Sequence, residues 1–203
     1  MISLPRRALL LGLVASSSGC AALGALENAS RALPTYELTP VAGSGGARRA
    51  VTLVVARPEA PAAISTDRIL IKPDPLSVAY LPDARWSEEV PQLVQSLVIR
   101  SIAESGRLGY VGSADGGPLP DVALLLRVDA FQAEPVAGQD AVPVRTALSA
   151  SLIRDSDQRV LASRDFAGAS LAASDRPADL VPAFQNALGP GLAALADWVA
   201  RTV

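Results

Sequence analysis

The chain of 203 residues contains no histidine, one cysteine and one lysine, Lys72. Without histidine there is no Ser-His-Asp or Cys-His nucleophile and no His-ligated zinc, and a lone thiol supplies neither a Cys-pair metal site nor an intramolecular disulfide. Aromatic residues make up 4%, which leaves few platforms for stacking bases or sugars. Positive charge is also short: eighteen Lys and Arg against twenty Asp and Glu give −2, with a pI near 5.2, the wrong balance for neutralising nucleic-acid phosphates. What is abundant is apolar: 50% of residues, with 19% charged, so the chain can bury a core and is not disordered. A hydrolase working through paired carboxylates stays open, because Asp and Glu are plentiful and their pairing in space is not legible in sequence.

The N-terminus carries a targeting pattern. Arg6 and Arg7 precede the apolar run Ala8–Ala15, and Ser16-Ser17-Ser18-Gly19 supplies small residues directly before Cys20. A small residue, glycine and then cysteine resembles a bacterial lipobox, although Ser17 stands where leucine is usual. The resemblance implies a lipoprotein signal peptide over residues 1–19, with cleavage before Cys20, a diacylglyceryl group on its thiol and an acylated new amino terminus. Two other readings compete: a signal anchor and a secretory signal cut elsewhere. The serine run in the middle of the uncharged stretch Ala8–Leu26 argues against a spanning helix, because there the bilayer would be driest. Pro5-Arg6-Arg7 also resembles a loose twin-arginine signal, so Sec and twin-arginine export both stay open. Removing residues 1–19 takes away two arginines and no acid, which moves the charge from −2 to −4. The lipobox resemblance also implies sorting to the outer membrane, since the residue after the cysteine is Ala21 and not aspartate. Residues 20–34 read as a tether that spans at most ~50 Å extended and averages nearer ~20 Å if flexible.

Residues 35–203 read as a single domain. Gly43-Ser44-Gly45-Gly46 is a loop, since no Gly-Lys-Ser/Thr follows to make a phosphate cradle. Strands are expected at Val51–Val55, Ile69–Ile71 and Ser77–Tyr80. Ser87 is placed as the N-cap of a helix over 88–105 whose stripe is Val90, Leu93, Val94, Leu97, Val98 and Ile102, ending at Gly106. Val122, Leu124, Leu126, Val128 and Ala130 share one strand face. Val144, Thr146, Leu148, Ala150 and Leu152 repeat the pattern, and Val160, Ala162 and Phe166 do so more weakly. Asp155-Ser156-Asp157-Gln158 is a hairpin turn, not a calcium loop. A second helix is capped by Asp175 with Pro177 in its first turn, and buries Leu180, Phe184, Leu188, Leu192, Leu195 and Val199. Gly189-Pro190-Gly191 should kink or break it. The fold expected is an α+β two-layer sandwich, with a largely antiparallel or mixed sheet of about five strands and two amphipathic helices on one face.

Several segments in fixed order resemble the auxiliary lipoproteins of ABC-type transport systems, the PqiC-like family. They are Thr35-Tyr36-Glu37-Leu38, Arg68-Ile69, Val78-Ala79-Tyr80, Arg85-Trp86-Ser87-Glu88, Leu124 to Phe131, Arg159 to Phe166, and a C-terminal helix with Trp198. The resemblance implies a non-enzymatic lipoprotein without cofactor or metal, facing the periplasm from the outer membrane. Its implied partners are an MCE-domain protein with an ABC permease and ATPase that move phospholipid between membranes. Self-assembly into a homo-oligomer stays open. Trp86 and Tyr80 are expected to staple the strand-to-helix corner, and the competing reading makes Arg85 and Trp86 partner-binding residues, since Trp and Arg are common interface anchors. The rival function is an envelope lipoprotein that activates a cell-wall synthase or assists outer-membrane assembly.

Overall fold

The computed structural model describes residues 33–115 and 117–203; Cys20 and the signal segment lie outside the described residues. Pro34–Val203 form one compact unit. Its strands are β1 (Thr35–Tyr36), β2 (Arg49–Val55), β3 (Arg68–Ile71), β4 (Ala79–Trp86), β5 (Leu108–Ser113), β6 (Val122–Ala133), β7 (Val142–Arg154) and β8 (Arg159–Ala172). Helix α1 (Val90–Glu104) lies between β4 and β5, and α2 (Pro177–Thr202) ends the fold.

The two longest apolar alternations in the sequence become the centre of the sheet. β6 and β7 pair antiparallel along their whole length, and β8 adds antiparallel to β7. The other edge of β6 is shared: β2 pairs parallel with its start, from Leu53–Val122 to Val55–Leu124, and β3 pairs with its end at Ile71–Ala133. Glu59 bridges Arg127 between them. β5 completes the β2 side in parallel, while β4 and then β1 complete the β3 side. The class is α+β and mixed, as expected, but the sheet has eight strands, not about five, and curls into a half-barrel.

Local packing explains the remaining departures. Val122, Leu124, Leu126 and Val128 are buried, and a bulge between Val128 and Ala130 then turns Phe131 and Ala133 inward in place of Ala130. Ser87 does not cap α1: its N–H donates to the Tyr36 carbonyl at 2.9 Å, extending the pairing of β1 with β4 past Trp86. The helix starts three residues later behind Glu89, with Pro91 in its first turn. It ends as the sequence suggests, at Gly106 with φ +67°, a conformation that costs glycine little. α2 starts behind Arg176, not Asp175, with Pro177 as its first residue. Its first turn is fastened by Asp179, which accepts from the Ser174 hydroxyl and from Arg176 at 2.9 Å.

α2 is not broken at Gly189-Pro190-Gly191; it is a single helix of 26 residues. Pro190 is on the exposed side, and the buried stripe from Leu180 to Val199 runs past it on both sides, so packing on one sheet outweighs the lost backbone bond. The contact with the sheet is close. A Cβ placed on Gly168 of β8 would stand 1.9 Å from the Ala187 carbonyl oxygen, a separation only a bare backbone permits. α2 lies across β7 and β8, α1 lies on β5 and β2, and the helices pack on each other. Between them and the sheet, Trp86 meets Phe131 and Phe184 edge-on at 5.7 and 5.2 Å, and Phe131 stacks on Phe184 at 5.0 Å. Phe166 and Trp198 form a second aromatic contact at 5.8 Å.

Candidate functional site

The chain enters the folded unit at β1, which pairs parallel with the end of β4, Thr35 opposite Arg85 and Tyr36 opposite Trp86. Successive side chains of a strand point to opposite faces, and this separates the two residues singled out at the corner. The Trp86 indole turns inward and is 1% exposed. Its ring nitrogen is buried without a hydrogen-bond partner. It fills the aromatic cluster, which is the staple reading. The Arg85 side chain turns outward and is 48% exposed.

Arg85 is held by short polar links. Its Nε donates to the Thr35 hydroxyl at 3.3 Å, and its terminal nitrogen lies 3.6 Å from the Asp67 carboxylate. In register with it across β3–β4 is a second cation, Arg68. Arg68 donates to the Leu81 carbonyl at 3.2 Å and lies over the Tyr80 ring at 5.9 Å, while the Tyr80 hydroxyl donates to the Ala63 carbonyl at 3.1 Å. Tyr80 is therefore a staple as well. The corner presents the guanidiniums of Arg85 and Arg68 beside Asp67, with the exposed Asp83 two residues before Arg85 on the same strand face, so it is charged and balanced in sign. The sequence reading missed Asp67 and gave Arg68 no role; the signal was the proximity of Asp67-Arg68 to the start of a strand destined to pair with β4.

A second polar group stands on the outer face of the long hairpin. The Arg127 Nε donates to Asp129 at 2.5 Å, and the Ser149 hydroxyl donates to the other Asp129 oxygen at 2.6 Å. The bond from Arg127, aided by that from Ser149, holds the Asp129 carboxyl below its ordinary range. An open concavity of about 290 Å³ adjoins it, walled by Arg57, Glu59, Leu125 and Ser151. Among the described residues no three or more Cys, Asp or Glu gather as a metal site. No helix among them is long and apolar enough to cross a membrane.

Comparison with solved structures finds this architecture elsewhere. A Xanthomonas campestris protein of the family DUF330 is 28% identical and superposes with a TM-score of 0.75, covering 83% of this chain and 95% of that one. An uncharacterized protein at 15% identity covers 84% of this chain and 98% of its own, with a TM-score of 0.56, and shares the fold. No curated protein matches the chain. The family model for the ABC-type transport auxiliary lipoprotein component matches residues 36–197, from β1 to the last turns of α2. The chain therefore belongs to the ABC-type transport auxiliary lipoprotein family.

Proposed function

We propose that this protein is a non-catalytic, lipid-anchored component of an MCE-type ABC lipid transport system, working from the periplasmic face of the outer membrane in support of that membrane's integrity. The family match over residues 36–197 carries the reading, since it spans nearly the whole folded unit and makes the chain a lipoprotein accessory to ABC-type transport. Cys20 behind its small-residue run supplies the anchor, residues 1–19 the signal peptide and 20–34 the tether. Ala21 favours outer-membrane sorting. The absence of histidine and the use of the only cysteine for lipid leave none of the common nucleophile and base pairs, which supports a binding role. The partner is the MCE-domain protein that stands with the permease and ATPase, and the Arg85–Arg68 corner is the surface offered to it. With Trp86 in the core, the corner acts through charge, so its contribution depends on salt.

The anchor is tested by acyl labelling of the Cys20→Ser chain in its native host. The expected result is loss of label together with accumulation of precursor or release of the domain from membranes. Normal processing and labelling of the Cys20→Ser chain would end the lipoprotein mechanism.

A further inference from the structure

The β3–β4 turn, residues 72–78, is a built structure whose outermost side chain is a leucine. Leu76 is 97% exposed and Val78 51%. The Asp74 carboxylate accepts the Leu76 N–H at 2.9 Å, and its carbonyl accepts the Ser77 N–H at 3.3 Å. Pro73 and Pro75 stiffen the turn on either side of Asp74, and its base is tied to β6 by the bond from the Lys72 N–H to the Ala133 carbonyl, 2.8 Å. Leu76 is thus displayed by a fixed turn. Beside it, Val136 is 44% exposed, and an open concavity of about 350 Å³ lies between the two loops. Lys72, Asp74, Glu134 and Arg145 around that concavity balance in sign, so this end carries no net charge beside its exposed apolar side chains.

The topology gives the tip a direction. β3 runs parallel to β6, which places the 72–78 turn beyond the C-terminal end of β6. β4 runs back from the tip, and β1 is parallel to β4. Residues 33–34 therefore enter β1 from the tip's side. Thr35 is level with Arg85 and Arg68, only three residues of β3, ~10 Å, from Ile71 at the base of the turn. A tether of about fifteen residues can reach ~50 Å at most. Among the described residues two further leucines are strongly exposed: Leu171 at 69%, opposite Pro143 at the tip's end of the sheet, and Leu119 at 92%, which precedes the opposite end of β6, a strand of 12 residues and hence ~40 Å away.

We propose that the β3–β4 tip, led by Leu76 and Val78, inserts into the surface of the membrane to which the chain is anchored and so sets the domain's orientation there. The inference rests on the reading of Cys20 as the lipid anchor. A bilayer suits the tip better than a protein partner does. The apolar group is a narrow turn, far from the roughly 800 Å² per side that a stable protein interface buries, and it lies at the end from which residues 33–34 enter β1. Leu76 and Val78 need no counter-charge, and Lys72 and Asp74 of the same turn offset each other, so the contact depends little on salt or on anionic lipid.

The test uses the full-length chain, purified from membranes and reconstituted in phosphatidylcholine–phosphatidylglycerol vesicles carrying brominated lipid. An environment-sensitive fluorophore is attached at Leu76→Cys or, as the control at the far end, at Leu119→Cys; both positions are exposed enough to accept it without unfolding. The expected result is blue-shifted emission at position 76, with quenching several-fold greater than at position 119 and unchanged by high salt. Equal quenching at both positions, stronger quenching at 119, or shielding of position 76 only after a protein partner is added would overturn the proposal. Intact-mass measurement of the same samples separates the two readings. Acylated Cys20 with equal quenching removes the tip contact alone, whereas unacylated Cys20 removes the anchor and the tip contact together.

Discussion

Replacing Trp86 by alanine should cost stability on the scale of a core deletion, not an interface trim. The side chain is 1% exposed and packs against Phe131 and Phe184. An indole buries on the order of 200 Å², worth ~5 kcal/mol at ~25 cal/mol per Å², and two edge-on aromatic contacts add ~0.5–1.5 kcal/mol each. Alanine recovers part of this, and removal of the unpartnered ring N–H returns ~1–3 kcal/mol. The net expected loss is ~3–5 kcal/mol, the usual range for a buried Trp truncation, or roughly 10 °C or more in melting temperature for a fold of this size. Trp86→Phe keeps a ring in the cluster while deleting the same orphaned donor. Its packing loss and its polar gain nearly cancel, leaving it within ~1 kcal/mol of the parent. Urea titration of the detergent-solubilised full chain, followed by circular dichroism, reads both. If Trp86→Ala costs under ~1 kcal/mol, or Trp86→Phe is as damaging as Trp86→Ala, the reasoning from burial and the orphaned N–H is refuted. A stable Trp86→Ala protein that loses its partner would return the indole to a surface role.

Gly168→Ala should destabilise at or beyond the upper end of the ~1–3 kcal/mol typical of overpacking, because its Cβ would meet the Ala187 carbonyl of α2; a cost below ~0.5 kcal/mol in the same titration would show that the helix lifts freely. Asp197 accepts the Ser44 N–H and hydroxyl at 2.7 and 2.8 Å, and these bonds, with Arg201 and Arg107 nearby, hold its carboxyl below the ordinary 3.8. A depressed folded pKa means stability that is fully present above the ordinary value and is lost as pH falls through the lowered one. Asp197→Asn should therefore flatten part of the acid limb of stability and speed amide exchange around residues 43–46. An unchanged acid limb would contradict the clamp.

The sequence was most legible where one face of an element is buried and the other is wet. Val144 to Leu152 of β7 and the α1 and α2 stripes read directly, since burial enforces a period of two or 3.6. It was least legible where an element exists only because of a distant partner. β1 has two residues, and only pairing with β4 makes it a strand. β5, Leu-Gly-Tyr-Val-Gly-Ser, carries two glycines that weaken its signal, yet β2 holds it in parallel register. The corner shows the same limit. Ending the strand at Tyr80 put Arg85 and Trp86 together on a loop, whereas β4 runs on to Trp86 and alternation then sends the two side chains to opposite faces. Pro190 misled in another way: the intrinsic cost of proline in a helix was legible, while the sheet that overrides it was not.

The most direct test of the proposed role is to photo-crosslink the full-length chain in intact cells through a probe at Arg85, and to identify what is captured from the membrane fraction. The expected products are the MCE-domain protein, with the permease and ATPase recovered alongside it and yields that fall with rising salt. Recovery of a cell-wall synthase with none of the transport components would contradict the reading.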